Sequence, residues 1–178
     1  MRMYPVVGTI LLACAGADPA PSDDQELARG DEPEPTSVVE QGAASVPTDW
    51  VPFQASCGYA FRAPPELMMQ ALQGTDSCVD GWATGNCVYH GDYGGFSSDL
   101  REYQEALQYE ETQESIDGHA AKVVTAVSDE FLIAAVSFPR VDQENERIRL
   151  TIAANCQDGP GQQDALRIFR TITFAPRG

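Results

Sequence analysis

Apolar and polar residues alternate along several short stretches of the chain, a pattern typical of β-strands with one buried face. Residues 131–138 are instead apolar almost throughout, which predicts a central strand. Residues 111–116 and 119–127 are two strand-like runs, and the dipeptide Asp117-Gly118 between them predicts a tight hairpin. In the other strands the predicted inward-facing residues are Cys57, Tyr59 and Phe61, then Cys87, Tyr89 and Tyr93, and finally Ile148, Leu150, Ile152 and Ala154.

Three further segments have the residue spacing of helices. Residues 64–74 begin with two prolines and end at a glycine, which predicts a short helix. Residues 97–110 combine Asp99 and Glu102 at capping spacing with an apolar stripe, and residues 162–172 carry another stripe after a Gly-Pro-Gly turn. The predicted fold class is therefore α+β: an antiparallel sheet of about five or six strands with two or three helices packed on it.

The chain begins with a short apolar segment that follows Arg2 and ends at a cysteine. As a helix this segment would rise only about 16 Å, which is too short to cross a bilayer. A positive residue before a short apolar run is typical of a secretory signal peptide, which we place at residues 1–13. Residues 11–14, Leu-Leu-Ala-Cys, resemble the lipobox of bacterial lipoproteins.

The lipobox resemblance implies that Cys14 carries the lipid and becomes the first residue of the mature chain. Several acyl chains then anchor the protein stably to a membrane. In proteins of this class an aspartate after the cysteine tends to retain the protein at the inner membrane, and Ala15 occupies that position here. The expected location is the bacterial cell envelope, with attachment to the outer membrane.

Acidic residues outnumber basic ones in both parts of the chain, and the net charge is -16. Residues 14–50 hold nine acids against one arginine and contain no aromatic residue before Trp50, which predicts a disordered acidic tether. Residues 51–178 have the length and apolar content of one globular domain. Because a chain this acidic is repelled by phosphate backbones, nucleic acid is not an expected partner.

The order of the predicted elements over residues 55–175 resembles that of the PsbP-like group of small α+β domains. The shared features are a first strand followed by a helix that starts at proline, a meander around an Asp-Gly turn, and a terminal helix. The resemblance implies an accessory subunit or binding module, since members of the group are mostly not enzymes. It carries no functional residue over to this chain.

Besides the lipobox cysteine, the chain has four cysteines, an even number that favours disulfide bonds in an exported protein. The favoured pairs are Cys78 with Cys87, which would close a short loop, and Cys57 with Cys156, which share the inward parity of their strands. The chain contains no Cys-x-x-Cys pair, so we predict neither a metal site nor a cofactor.

The chain contains no nucleophile elbow, zinc-protease motif or phosphate-binding loop. Residues 74–96 are rich in glycine, aspartate and aromatic residues, which favours a binding loop held by a disulfide bond. The candidate binding residues are Asp76, Trp82, His90, Asp92, Tyr93 and Phe96.

These features predict a non-catalytic binding or accessory module that contacts the membrane through its lipid and engages an envelope protein or a small ligand. The alternative is an envelope hydrolase that uses an aspartate or glutamate together with His90. If His90, Asp92 and Asp76 cluster in one cleft, the hydrolase is favoured, whereas their dispersal over the surface favours the binding module.

Overall fold

The computed structural model describes residues 45–142, 145 and 147–174. The predicted signal peptide, the predicted lipidation site Cys14 and the predicted tether as far as residue 44 lie outside the described residues. Within the described region, Trp50 is buried and its carbonyl oxygen accepts a hydrogen bond from the Arg62 guanidinium. Trp50 is therefore packed as part of the folded domain.

The described residues form two antiparallel sheets and one α-helix. The three-stranded sheet has the order β1-β2-β10, and the seven-stranded sheet has the order β3-β4-β5-β9-β8-β7-β6. The elements are β1 (Val51–Gln54), β2 (Tyr59–Ala63), β3 (Met68–Gln70), β4 (Cys78–Ala83), β5 (Cys87–Gly94), β6 (Leu107–Ile116), β7 (His119–Val127), β8 (Leu132–Phe138), β9 (Arg149–Cys156), α1 (Gly159–Arg170) and β10 (Thr173–Phe174).

This architecture corrects the predicted fold class. The protein is mostly β, and α1 is the one helix longer than a single turn in the described part of the chain, where an α+β domain with two or three helices was expected. Two of the three predicted helices are absent, and their residues belong to strands and loops. The seven-stranded sheet is correspondingly larger than the five or six strands predicted.

Residues 64–74 form the short strand β3 and irregular backbone in place of the first predicted helix. The N–H of Leu67 donates to the carbonyl of Pro64, which closes a turn after the two prolines. Beyond that turn, β3 pairs with β4 in antiparallel register, with Met69 opposite Trp82. Pairing with a neighbouring strand outweighs the local helical preference of these residues, because intrinsic propensity is weak beside tertiary contacts.

Residues 97–110 contain only a 3-10 turn, Arg101–Tyr103, before β6 begins at Leu107. The backbone of Leu100 is left-handed, with φ of 65°, so no regular helix runs through that residue. From Leu107 onward the chain pairs with β7 as the edge of the sheet. The predicted capping pair, Asp99 and Glu102, therefore coincides with one short turn whose N-cap residue forms no side-chain cap hydrogen bond.

The predicted hairpin and the last predicted helix are confirmed. Asp117 and Gly118 have φ of 51° and 77°, and positive φ at both turn residues is what a tight type I′ hairpin requires. The helix α1 begins after Asp158, whose carboxylate accepts the N–H of Gly161 at 2.7 Å. Near the end of α1, the Arg170 guanidinium forms a bidentate ion pair with the Glu114 carboxylate of β6.

The main core lies between the seven-stranded sheet on one side and α1 with the three-stranded sheet on the other. We call the covered side of the large sheet its inner face and the opposite side its outer face. Trp82 of β4 occupies the middle of the core, with ring centroids 5.4 Å from Phe61 and 6.3 Å from Tyr59. Residues 78–83 are therefore a core strand, although the sequence favoured a loop there.

Two disulfide bonds form among the four cysteines, as predicted, but their pairing differs from the favoured one. Cys87 bonds to Cys156, its direct neighbour in the β5–β9 register, and Cys57 bonds to Cys78. Because β4 and β5 form a hairpin that turns between residues 83 and 87, Cys78 lies at the far end of that hairpin, opposite Tyr93. Strand register therefore keeps Cys78 and Cys87 apart despite their short separation in sequence.

We expect Gly91→Ala to destabilise the domain by about 1–3 kcal/mol, the usual range for overpacking a core. A Cβ atom at Gly91 would lie 2.6 Å from the Tyr59 hydroxyl oxygen and 2.9 Å from the Trp82 ring. Urea unfolding followed by tryptophan fluorescence measures the loss. Gly85→Ala is the matched control, because nothing lies within 4 Å of a Cβ atom there. Equal stability of both variants would contradict the close approach at Gly91.

Candidate functional site

The loop between β5 and β6, residues 95–106, crosses the outer face of the large sheet and is tied to it by hydroxyl groups. The Thr151 and Ser137 hydroxyls donate to the Ser98 carbonyl at 2.5 and 3.3 Å. The Ser97 hydroxyl donates to the Asp92 carbonyl at 2.8 Å. The sheet thus holds the start of the loop at a defined position over β5, β8 and β9.

Leu100 fixes the middle of this loop against the sheet. Its side chain is fully buried and forms a small second core with Val124 and Ala135, to which Tyr103 and Ala153 add partly buried contacts. A left-handed backbone costs an L-residue about 1–2 kcal/mol. The burial of a leucine side chain contributes about 1.5–3 kcal/mol and offsets that cost.

A pocket of about 240 Å³ lies on the outer face between this loop and strands β5 and β9. We call it the outer pocket. Two of its residues carry carboxylates, one carries an imidazole, and none is a lysine or arginine. It is lined by His90, Asp92, Ser98, Leu100, Glu102, Tyr103, Thr151 and Ala153.

Hydrogen bonds within the loop orient the carboxylate of Glu102. The Ser98 hydroxyl lies 2.6 and 2.7 Å from its two oxygens, and the Leu100 N–H in turn donates to Ser98 Oγ at 2.9 Å. Burial raises the pKa of the Tyr103 hydroxyl, and the negative charge of Glu102 raises it further. Tyr103 therefore remains a neutral hydrogen-bond donor at physiological pH.

Asp92 contributes the second carboxylate of the outer pocket. Its Oδ1 atom is buried and accepts no hydrogen bond from the described residues. A buried acceptor without a donor is costly to leave unsatisfied. The pocket therefore combines two carboxylates, the His90 imidazole and the Tyr103 hydroxyl, a set that suits a small polar ligand with hydrogen-bond donors.

The structure brings two of the six candidate residues together in the outer pocket, namely His90 and Asp92. Asp76 is exposed in the loop between β3 and β4 and does not line the pocket. Of the three residues whose clustering would favour a hydrolase, His90 and Asp92 therefore share a pocket and Asp76 lies outside it.

The three aromatic candidates lie elsewhere. Trp82 is 1% exposed and belongs to the core, so it is not the accessible anchor that the sequence suggested. Tyr93 is half-buried, and its ring centroid lies 6.5 Å from that of Tyr59. Phe96 alone is freely accessible, at 84% exposure, in the loop between β5 and β6.

Four polar residues of the outer pocket were missed by sequence reasoning: Ser98, Glu102, Tyr103 and Thr151. Glu102 carries a local signal, its capping spacing from Asp99, but that spacing predicts a helix start and not a pocket. Thr151 is distant in sequence and faces outward in a strand identified by its inward residues. Nothing local marks it as part of a site.

A larger depression of about 890 Å³ lies at the β6–β7 turn and the segment after β8. Its lining includes Asp117, His119, Arg140 and Asp142. His119 Nδ1 lies 3.3 Å from the Arg140 carbonyl oxygen, and the His119 ring contacts Phe174 edge-on with centroids 4.6 Å apart. These contacts account for His119 as a packing residue, so we place the candidate site at the outer pocket, where more chemical groups converge.

In the described residues, no three histidine, cysteine or acidic side chains are grouped so as to hold a metal ion. The described part of the chain also contains no helix of sufficient length and hydrophobicity to cross a bilayer. The chain matches no model of a known protein family, and no curated protein matches it.

Proposed function

We propose that this chain is an exported bacterial lipoprotein, anchored through Cys14, whose domain is a non-catalytic binding or accessory module of the cell envelope. The observation that carries the proposal is the pair of disulfide bonds, Cys57–Cys78 and Cys87–Cys156. Disulfide bonds persist in oxidising compartments such as the periplasm and the cell surface. The signal-like segment of residues 1–13 would direct export to such a compartment, and the lipobox-like residues 11–14 would direct lipidation there.

The outer pocket is the proposed ligand site of this module. It lies on a rigid sheet beside a loop held by three serine or threonine hydroxyls, and such loops on rigid scaffolds often carry binding. Its volume of about 240 Å³ suits a small molecule or a single side chain of a partner protein. A polar envelope ligand with donor groups would satisfy Asp92 and Glu102.

We expect Cys14→Ser to abolish incorporation of a labelled fatty acid and to leave the uncleaved precursor, because this thiol ends the signal-like segment. Metabolic labelling followed by gel analysis measures both effects. Ala17→Ser is the matched control, since it places a serine close by and keeps the thiol. Undiminished labelling of Cys14→Ser would contradict the lipoprotein assignment.

A hydrolase is the second candidate function, and one observation favours it: His90 shares the outer pocket with the two carboxylates of Asp92 and Glu102. An imidazole beside carboxylates can act in general acid–base catalysis, and removal of such a group lowers the rate by about a hundredfold or more.

Release of dye from labelled cell-wall polymer by the full-length protein separates the two functions. For the binding module we expect no turnover by the wild type. Turnover that His90→Ala abolishes, but that His119→Ala retains, would assign the hydrolase. His119 is the matched control because it is the other histidine of the chain and does not line the outer pocket.

A further inference from the structure

The two edges of the seven-stranded sheet differ sharply in charge. The edge strand β6 carries Glu110, Glu111 and Glu114, and charges of this kind protect a sheet edge from pairing with other chains. The opposite edge strand, β3, reads Met-Met-Gln and is exposed along its whole length. β3 itself carries no charged residue and no proline, although its length of three residues limits the number of main-chain hydrogen bonds it can offer.

Apolar side chains extend from β3 across the neighbouring outer face. Met68 is 66% exposed and lies opposite Ala83, which in turn lies opposite Val88, 52% exposed. Leu72, 41% exposed, covers the outer side of Gly81, where a Cβ atom would lie 2.6 Å from Leu72 Cδ1. Met68, Leu72 and Val88 form what we call the β3 patch.

The charges around the β3 patch are placed at its ends. Residues 67–75 contain no charged side chain, although the chain as a whole has a net charge of -16. Glu66 precedes this stretch and Asp76 follows it, and both are exposed. Neither carboxylate forms an ion pair with another described residue. The edge therefore presents an apolar centre between two negative ends.

We propose that β3 is the docking edge for an extended segment of a partner protein, apolar in its middle and basic at its ends, which adds an eighth strand to the large sheet. The unpaired N–H and C=O groups of an edge strand supply the main-chain hydrogen bonds in this mode of recognition, and pockets or patches beside it select side chains. Exposed methionines adapt well to varied apolar partners.

A second copy of this chain is a poorer occupant than a basic segment. Two molecules of net charge -16 repel each other, and each would bring Glu66 and Asp76 to the other's negative ends. A basic segment instead gains attraction at both ends. The proposed edge shares no residue with the outer pocket, so it is a separate site from the proposed ligand site.

The test uses full-length protein in detergent and a fluorescent peptide, Lys-Lys-Val-Thr-Val-Thr-Val-Lys-Lys, with binding measured by anisotropy. We expect saturable binding that weakens with added salt. Met68→Lys should lower the affinity about tenfold or more, because it places a charge in the apolar centre and repels the basic peptide. Leu107→Lys is the matched control, since Leu107 is equally exposed, at 66%, on the opposite edge.

Two further measurements test the main-chain hydrogen bonds between β3 and the peptide and the role of the carboxylates at the two ends of β3. The same peptide with the backbone nitrogens of all five central residues methylated should not bind, because neither edge of the peptide strand can then donate main-chain hydrogen bonds. The double variant Glu66→Gln with Asp76→Asn should bind several-fold more weakly and lose most of the salt dependence. Retained binding of the methylated peptide, or of Met68→Lys, would overturn the proposal.

Self-association and complete lack of binding are the remaining outcomes. Sedimentation of the wild type as a dimer that Met68→Lys dissociates would assign the edge to a second copy and overturn the proposal. Absence of saturable peptide binding by the wild type would overturn it as well.

Discussion

Trp82→Ala is expected to destabilise the domain by about 3–5 kcal/mol, the range for deleting a buried aromatic side chain. Trp82 is 1% exposed, and its ring centroid lies within 6.4 Å of those of Phe53, Phe61, Tyr59 and Tyr89. Alanine would leave a cavity where β1, β2, β4 and β5 meet. Since single domains are stable by about 5–15 kcal/mol, this loss is large enough to unfold part of the population.

Urea denaturation monitored by far-UV circular dichroism measures this effect without relying on the deleted fluorophore. Phe96→Ala is the matched aromatic control, because Phe96 is 84% exposed and its loss is expected to change stability by no more than about 0.5 kcal/mol. If Trp82→Ala kept full stability and only weakened ligand binding, Trp82 would be an accessible anchor and its placement in the core would be wrong.

Removal of the Cys87–Cys156 bond by a double alanine variant is expected to destabilise the domain by about 4 kcal/mol. The bond closes a loop with a sequence separation of 69 residues, against 21 for Cys57–Cys78. Because the entropy that a cross-link removes from the unfolded chain grows with loop length, removing the shorter bond should cost about 3 kcal/mol.

The two double variants, Cys87→Ala with Cys156→Ala and Cys57→Ala with Cys78→Ala, are each other's controls. Chemical denaturation at one pH gives the two free energies of unfolding, and peptide mapping of the wild type under non-reducing conditions identifies the bonded pairs. A disulfide-linked peptide joining Cys78 to Cys87 would contradict the connectivity in the structure. Equal losses in both variants would show that loop length does not decide their order.

The proposed lipid anchor, the disulfide bonds and the proposed docking edge at β3 are physically compatible with one another. A chain tethered to a membrane diffuses in two dimensions and meets other envelope proteins at high local concentration, which favours weak contacts such as strand addition. The disulfide bonds add stability to a domain in which the large sheet is covered by only one helix and a small second sheet. These features are compatible with the proposed accessory module of the cell envelope.

Only part of the candidate site could be predicted from the sequence. His90 and Asp92 were predicted because they lie in the stretch of residues 74–96 that is rich in glycine, aspartate and aromatic residues, and in the structure both line the outer pocket. Glu102 and Thr151 were missed because they join the pocket through a loop crossing and through a strand distant in sequence. Periodicity indicates which face a residue occupies, but not what lies across from it.

The sequence by itself determined most of the strands, the Asp-Gly hairpin, the final helix and the existence of two disulfide bonds. These features depend on alternation, turn residues and cysteine number, which are local or compositional. Only the tertiary structure decided that residues 64–74 and 97–110 are not helices, that Trp82 lies in the core, and that Cys87 bonds to Cys156. Strand register brings together residues far apart in the chain, and their contacts outweigh the small free-energy preferences of short segments.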